Sequence, residues 1–190
     1  MDRATFGIVS RYPYALAAHL LTMSVSANRL PPVLLTGLAG FLLLGHALWG
    51  WIPILDSANL AFHEAGHPLF GIVSDRLMVY GGTLMQLLMP AACAWEFYRR
   101  EQRYSFYASL IWIAENLLNI SHYLADARAH RLPLVGGLDP EYFHDWTEIL
   151  NRWGLLNQDT ALAWLVRLGA VALMVWTVKQ AWSPPAEDDR

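Results

Sequence analysis

Three residues in one short stretch carry the clearest chemistry of the chain: His63, Glu64 and His67, in the order His-Glu-Ala-Gly-His. On an α-helix, residues four apart lie one above the other. Two imidazoles therefore face one side and can bind a single ion, with the Glu64 carboxylate alongside. Zinc (Zn2+) suits such a pair, because it accepts nitrogen and oxygen ligands and lowers the pKa of a bound water towards neutrality. A neighbouring carboxylate can then take the proton and pass it to a leaving group. The setting adds weight to the spacing, since two His and a Glu inside an apolar helix carry a desolvation cost. The plain alternative is a hydrogen-bonded polar knot between helices.

A second set of residues, Glu115, Asn119, His122 and Asp126, follows steps of four, three and four and so shares one helical face. A catalytic zinc needs three protein ligands and one open position. This stripe offers His122 or Asp126 as the third ligand, and both are metal candidates. They are four apart, so one could ligate while the other orients it. Glu115 and Asn119 fit hydrogen bonding between helices better, with Asn119 also a candidate to touch a ligand or the substrate. His144 and Asp145 read first as polar residues of an exposed loop, and second as residues that could fold back over the metal. Gln86 fits either a substrate or a neighbouring helix. His19 and His46 stand singly in apolar stretches and suit helix-to-helix hydrogen bonds, while His130 near a helix end needs no chemical role.

The elements that must position these groups are apolar. Hydrophobic residues make up 55% of the 190 residues and charged residues only 15%, with nine Trp and eight Tyr, a balance that fits a lipid solvent better than water. Val33 to Leu55 is nearly all apolar and long enough to cross a hydrocarbon core of about 30 Å. Tyr14 to Ala27 is shorter and either lies in the interface or crosses at a tilt. Ser57 to Val73 is expected to be the helix bearing the metal motif, its first turn capped by Asp56 or Ser57 and its backbone disturbed at Pro68. Gly81-Gly82 should punctuate the chain before Thr83 to Trp95. Tyr104 to Ala129 and Ala161 to Trp182 complete the long helices. Between those two, residues 132–158 should form a structured loop with a short helix outside the bilayer. If every segment crosses once, His67 and His122 fall at different depths. A kink, a tilt or a re-entrant turn would reconcile them.

Several classes are set aside. A net charge of −3 with sparse Lys and Arg gives no surface for nucleic acid. One cysteine, Cys93, allows neither an intrachain disulfide nor a cysteine-based zinc site. The N-terminus lacks the pattern of a cleavable signal, so the apolar segments are expected to direct insertion. The Arg99, Arg100 and Arg103 cluster argues for a cytoplasmic turn, with the 132–158 loop on the opposite side.

His63-Glu64-Ala65-Gly66-His67, within an apolar helix and followed by Gly81-Gly82, resembles the intramembrane zinc metalloproteases of the site-2 protease type. The resemblance implies hydrolysis of peptide bonds in or beside the bilayer, with His63 and His67 as ligands and Glu64 as general base. It implies an Asp from a later membrane helix as third ligand, for which Asp126 is the nearest match. The later stretch Asn119-Ile120-Ser121-His122-Tyr123-Leu124-Ala125-Asp126 departs from the family pattern, having neither an Asn-Pro lead-in nor an Asp-Gly pair. The chain would be a minimal core of that type.

The expectation is therefore an all-α polytopic membrane bundle of about four to six spanning or re-entrant helices. Residues 1–182 form one domain, followed by a disordered tail at 183–190. The expected activity is zinc-dependent cleavage of membrane-associated peptides, in a multi-pass protein of a bacterial inner membrane or an equivalent bilayer. Its partners would be the lipid bilayer and the peptide substrate, and the sequence leaves its oligomeric state open. Two alternatives stand beside this: hydrolysis of a lipid amide or ester, and a non-enzymatic metal-binding or transport protein whose ligands close the shell.

Overall fold

The computed structural model describes residues 29–137, 139 and 143–184, and these form only helices, turns and loops. Tyr14 to Ala27, His19 and the tail from residue 185 onward lie outside the described residues. Among the described residues there are six α-helices: α1 Leu30–Trp49, α2 Pro53–Gly71, α3 Asp75–Arg99, α4 Arg103–Ala125, α5 Asp145–Trp153 and α6 Asp159–Trp182. Single 3-10 turns precede α5, at Val135–Gly137, and α6, at Leu156–Gln158. The protein is all-helical over this range, and α1, α3 and the segment Leu156–Trp182 are long and apolar enough to cross a membrane.

Local sequence sets most of the helix boundaries. Pro31-Pro32 opens α1, where the missing N–H groups would have had no helical partner. The helix stops at Gly50, whose φ of 69° is left-handed, and its N–H returns to the His46 carbonyl. The single apolar segment expected from Val33 to Leu55 is thus two elements, and α2 begins afresh with Pro53 as its first residue. No side chain caps α2. The Asp56 carboxylate instead accepts the Ile52 N–H as part of a buried cluster described below. Ser74 caps α3, its Oγ accepting the Leu77 N–H at 3.2 Å. Gly81-Gly82 lies inside α3 and interrupts nothing. Its role is in packing, as a Cβ at Gly81 would sit 2.5 Å from the Gly66 carbonyl oxygen. On the facing helix, a Cβ at Gly66 would come within 2.1 Å of the Gly81 oxygen. Backbone meets backbone here, which only glycine permits.

Five contacts fix which ends lie together. Trp182 Nε1 donates to Thr36 Oγ1 at 3.0 Å, and the Arg103 guanidinium donates to the carbonyls of Gln180, at 2.6 Å, and Ser183. The start of α1, the start of α4 and the end of α6 therefore share one end of the bundle, and α3 finishes there too, one short turn before α4. At the other end Arg128 pairs with Asp159 at 2.7 Å, and Gly50 packs on the His122 ring. That end gathers the finish of α1, the finish of α4 and the start of α6. Since α3 runs towards the first end, it begins at the second. Helix α2 runs back alongside α3, with His63 against Gly82, Gly66 against Gly81 and His67 against Met78. The motif and the later polar stripe meet at one level, since Gln86 bridges His63 and Asn119, and Gly81-Gly82, inside α3, forms no re-entrant turn.

The core is narrow. On α1 the buried stripe is Leu35, Ala39 and Leu42, and on α6 it is Ala163, Ala170, Met174, Thr177 and Ala181. These pack on Ile111, Ala114 and Leu118 of α4, which are 0%, 0% and 5% exposed and make α4 the central helix. The opposite faces present Leu34, Phe41 and Leu48 on α1, and Trp164, Leu168 and Trp176 on α6. Wide apolar outer faces and seams of small residues are the pattern of helices packed within lipid.

Candidate metal centre

His63 and His67 lie one turn apart on α2, with ring centroids 4.9 Å apart and planes at 78°. Each ring has an acceptor for its Nδ1: Gln86 Oε1 at 3.3 Å for His63, and the Met78 backbone carbonyl at 2.9 Å for His67. With Nδ1–H donated, Nε2 of each ring carries the lone pair. Both Nε2 atoms face one oxygen, Asp145 Oδ2, at 2.9 Å and 3.4 Å. Two lone pairs and a carboxylate oxygen repel one another unless a proton or a cation stands among them. The three ligand atoms fall within 4.8 Å of one another, and this set of two nitrogens and one oxygen fits a divalent metal ion.

Helix packing places this group. His63 is held against α3 because Gly82 leaves room for its ring, and a Cβ there would lie 2.5 Å from Nε2. Asp145 opens α5, whose N-cap is His144, with His144 Nδ1 accepting the Thr147 N–H at 3.3 Å. The Asp145 N–H donates to the Tyr123 phenol oxygen at 3.2 Å, which ties the start of α5 to the end of α4. The His144 ring lies 4.2 Å from the Tyr123 ring, and the His63 ring meets the same tyrosine at 5.9 Å. Burial pushes the His144 pKa down to about 4, against the partial opposition of Asp126, so this ring is neutral near pH 7.

The cluster sits where two cavities meet. A larger one, of about 500 Å³, runs between Trp49-Gly50-Trp51, Leu60 and the 132–135 loop, with His122 in its wall. A smaller one, of about 310 Å³, is bordered by His67, Phe143, Asp145 and Glu148. His63, Glu64 and Tyr123 border both. Glu64 is exposed into this junction, where a carboxylate can reach water and a bound molecule together.

Of the metal candidates read from the sequence, His63 and His67 come together and His122 and Asp126 stand apart. Asp126 follows α4 and turns its carboxylate back on the chain, Oδ1 accepting the Arg131 N–H at 2.9 Å and Oδ2 the Leu132 N–H at 3.0 Å. It anchors the loop that walls the larger cavity. His144 and Asp145, read first as exposed loop residues, are buried at 2% and 9% exposure, and Asp145 offers the third atom of the His63–His67 group. Asn119 lies one residue removed from the cluster, accepting from Gln86 Nε2 at 3.0 Å and donating to Asp56 Oδ1 at 3.1 Å. His46 makes the expected interhelical bond, to Glu115 at 3.2 Å. Tyr123 escaped the sequence reading altogether. The signal that could have found Asp145 is an acidic residue at the start of a short amphipathic helix, directly after a His.

No family model, no curated protein and no solved structure matches this chain, so the site's own residues carry the functional argument.

Proposed function

We propose that this protein is a zinc-dependent hydrolase of the membrane, cleaving peptide bonds of membrane-associated substrates in the manner of the site-2 protease type it resembles. The observation that carries this reading is the convergence of His63 Nε2, His67 Nε2 and Asp145 Oδ2, with the Glu64 carboxylate one residue from the first ligand. His63, His67 and Asp145 would hold the ion, with Asp145 in the place that the resemblance gave to Asp126. When bound, zinc supplies a Lewis acid that makes water a nucleophile at neutral pH. Glu64, open to both cavities, is placed to take a proton from an attacking water and would return it to the departing nitrogen. Tyr123 keeps Asp145 in register through the Asp145 N–H. The apolar walls of the larger cavity exclude bulk water, which strengthens each electrostatic contact made there. In this reading the chain is multi-pass, in a bacterial inner membrane or an equivalent bilayer, with the site at the end of the bundle opposite Arg99, Arg100 and Arg103.

Glu64→Gln tests the assignment. The expected result is about one zinc per chain, as in wild type, with hydrolysis reduced by about 100-fold or more. Full activity in that variant would overturn the role of Glu64. A second reading, hydrolysis of a lipid amide or ester, is favoured by the apolar walls of the larger cavity, among them Trp49, Trp51 and Leu60. Assaying the purified protein against matched peptide and lipid pools separates the two, since the same Glu64-dependent turnover would appear in only one pool.

A further inference from the structure

The bonds on the far side of His63 form a chain with a direction. His63 Nδ1 meets Gln86 Oε1 at 3.3 Å, Gln86 Nε2 donates to Asn119 Oδ1 at 3.0 Å, and Asn119 Nδ2 donates to Asp56 Oδ1 at 3.1 Å. It crosses from α2 to α3 to α4 and returns to α2. Gln86 is 3% exposed and Asp56 is 0% exposed. Asp56 belongs to a second group, with His46 and Glu115, whose ligating atoms lie within 4.8 Å of one another.

A primary amide has an oxygen that only accepts and a nitrogen that only donates. Asp56 offers its oxygens as acceptors, one to the Ile52 N–H and the other to Asn119. The Asn119 nitrogen must therefore face Asp56, which turns its oxygen towards Gln86. The Gln86 nitrogen must face that oxygen, which turns Oε1 towards His63. Only a ring that carries its proton on Nδ1 satisfies that oxygen, and such a ring has its lone pair on Nε2, where Asp145 and His67 wait.

We infer that Gln86, Asn119 and Asp56 are positioning residues. The buried Asp56 carboxylate, through two amides, fixes the proton of His63 on Nδ1 and so prepares Nε2 for the metal. This inference rests on the metal reading above and adds to it a determinant of metal affinity that touches neither the metal nor, in the case of Asp56 and Asn119, the ligand ring. His67 achieves the same end by a shorter route, giving its Nδ1 proton to the Met78 carbonyl.

The test is zinc affinity, measured on the full chain in detergent by competition with a chromogenic chelator. Gln86→Met removes the acceptor at similar volume and should weaken zinc binding by about 10- to 100-fold. Gln86→Glu keeps an acceptor against Nδ1 and should restore affinity to within a few-fold of wild type. Asp56→Asn removes the carboxylate that orders the chain and should weaken zinc several-fold with the helical content unchanged. Cobalt substitution gives an independent readout, since the visible spectrum should differ between wild type and Gln86→Met and match between wild type and Gln86→Glu. Wild-type affinity and an unshifted cobalt spectrum in Gln86→Met would overturn the relay while leaving the metal centre intact. A wild-type chain that takes up neither zinc nor cobalt would overturn the metal centre itself. If Gln86→Met fails to fold, Asp56→Asn decides alone, and unchanged zinc affinity there overturns the inference.

Discussion

Two groups of His and carboxylate side chains lie near one another in this bundle, and they have opposite characters. His63, His67 and Asp145 are joined by few competing bonds, and they face two cavities. His46, Asp56 and Glu115 are sealed, with Glu115 and Asp56 both at 0% exposure. In the sealed group every carboxylate oxygen has a hydrogen-bond partner: Glu115 takes His46 at 3.2 Å and Asn59 at 2.7 Å, and Asp56 takes Asn119 at 3.1 Å and the Ile52 N–H. Asn59 is satisfied in turn by Trp112 at 2.8 Å. Both groups are built of imidazoles and carboxylates within the same radius. What separates them is the fate of the remaining lone pairs. Where neighbouring amides and N–H groups occupy them, carboxylates and imidazoles lock helices together. Where they converge unsatisfied beside an opening, a ligand is called for.

Breaking each group should therefore give different symptoms. Asp145→Ala removes a ligand from the open group and should take zinc from about one per chain to none, with the bundle still folded, since Asp145 lies at the start of a short helix. Asp126→Ala is the matched control and should retain zinc, because its oxygens serve the Arg131 and Leu132 backbone. Elemental analysis of both purified variants decides between them, and zinc lost from Asp126→Ala but kept in Asp145→Ala would reverse the assignment. A smaller effect is expected at the glycine crossing that supports the open group. Gly66→Ala must move α2 away from α3, because its Cβ would meet the Gly81 oxygen at 2.1 Å. A loss of about 3 kcal/mol of stability is expected, at the upper end for overpacking because backbone must shift. Zinc affinity should fall with it, as His63 loses its seat beside Gly82. Thermal unfolding and chelator competition read the two effects, and a variant with unchanged melting would show that the crossing is looser than its geometry.

How much of this was legible in the chain follows from which forces are local. Long apolar segments announce helices through composition, so the bundle and most of its elements could be read directly. The pairing of His63 and His67 was legible because both residues lie on one helical turn. Asp145 was not, since it stands 82 residues from His63 and reaches it only because α5 packs against α3 and is tied to Tyr123 at the end of α4. His122 and Asp126 looked better placed because they share a face with Glu115 and Asn119. Depth and rotation at the end of α4, which no periodicity encodes, turn Asp126 into an anchor for the following loop. The break at Gly50 was hidden for a different reason: Trp49-Gly50-Trp51-Ile52 is apolar throughout, so hydropathy continues where the backbone turns.

The smallest of these effects sharpens the contrast from the sealed side. Asn59→Ala strips a hydrogen bond from Glu115 Oε2 and leaves the Trp112 N–H without its acceptor, while the Asn116 amide loses one of its contacts. Each buried group left unpaired costs about 1–3 kcal/mol, and repacking around the Ala recovers part of that loss. The net expectation is about 2 kcal/mol of stability, read as a lower midpoint in thermal unfolding. Zinc content should stay at the wild-type level, because Asn59 lies on the far side of Glu115 from the chain that runs through Asn119 and Gln86 to His63. Loss of zinc without loss of stability would mean that the sealed group is itself a metal site. Loss of stability with zinc retained would confirm that the two groups, both built of imidazole and carboxylate, do different work: one holds α2 in place, and the other uses what α2 presents.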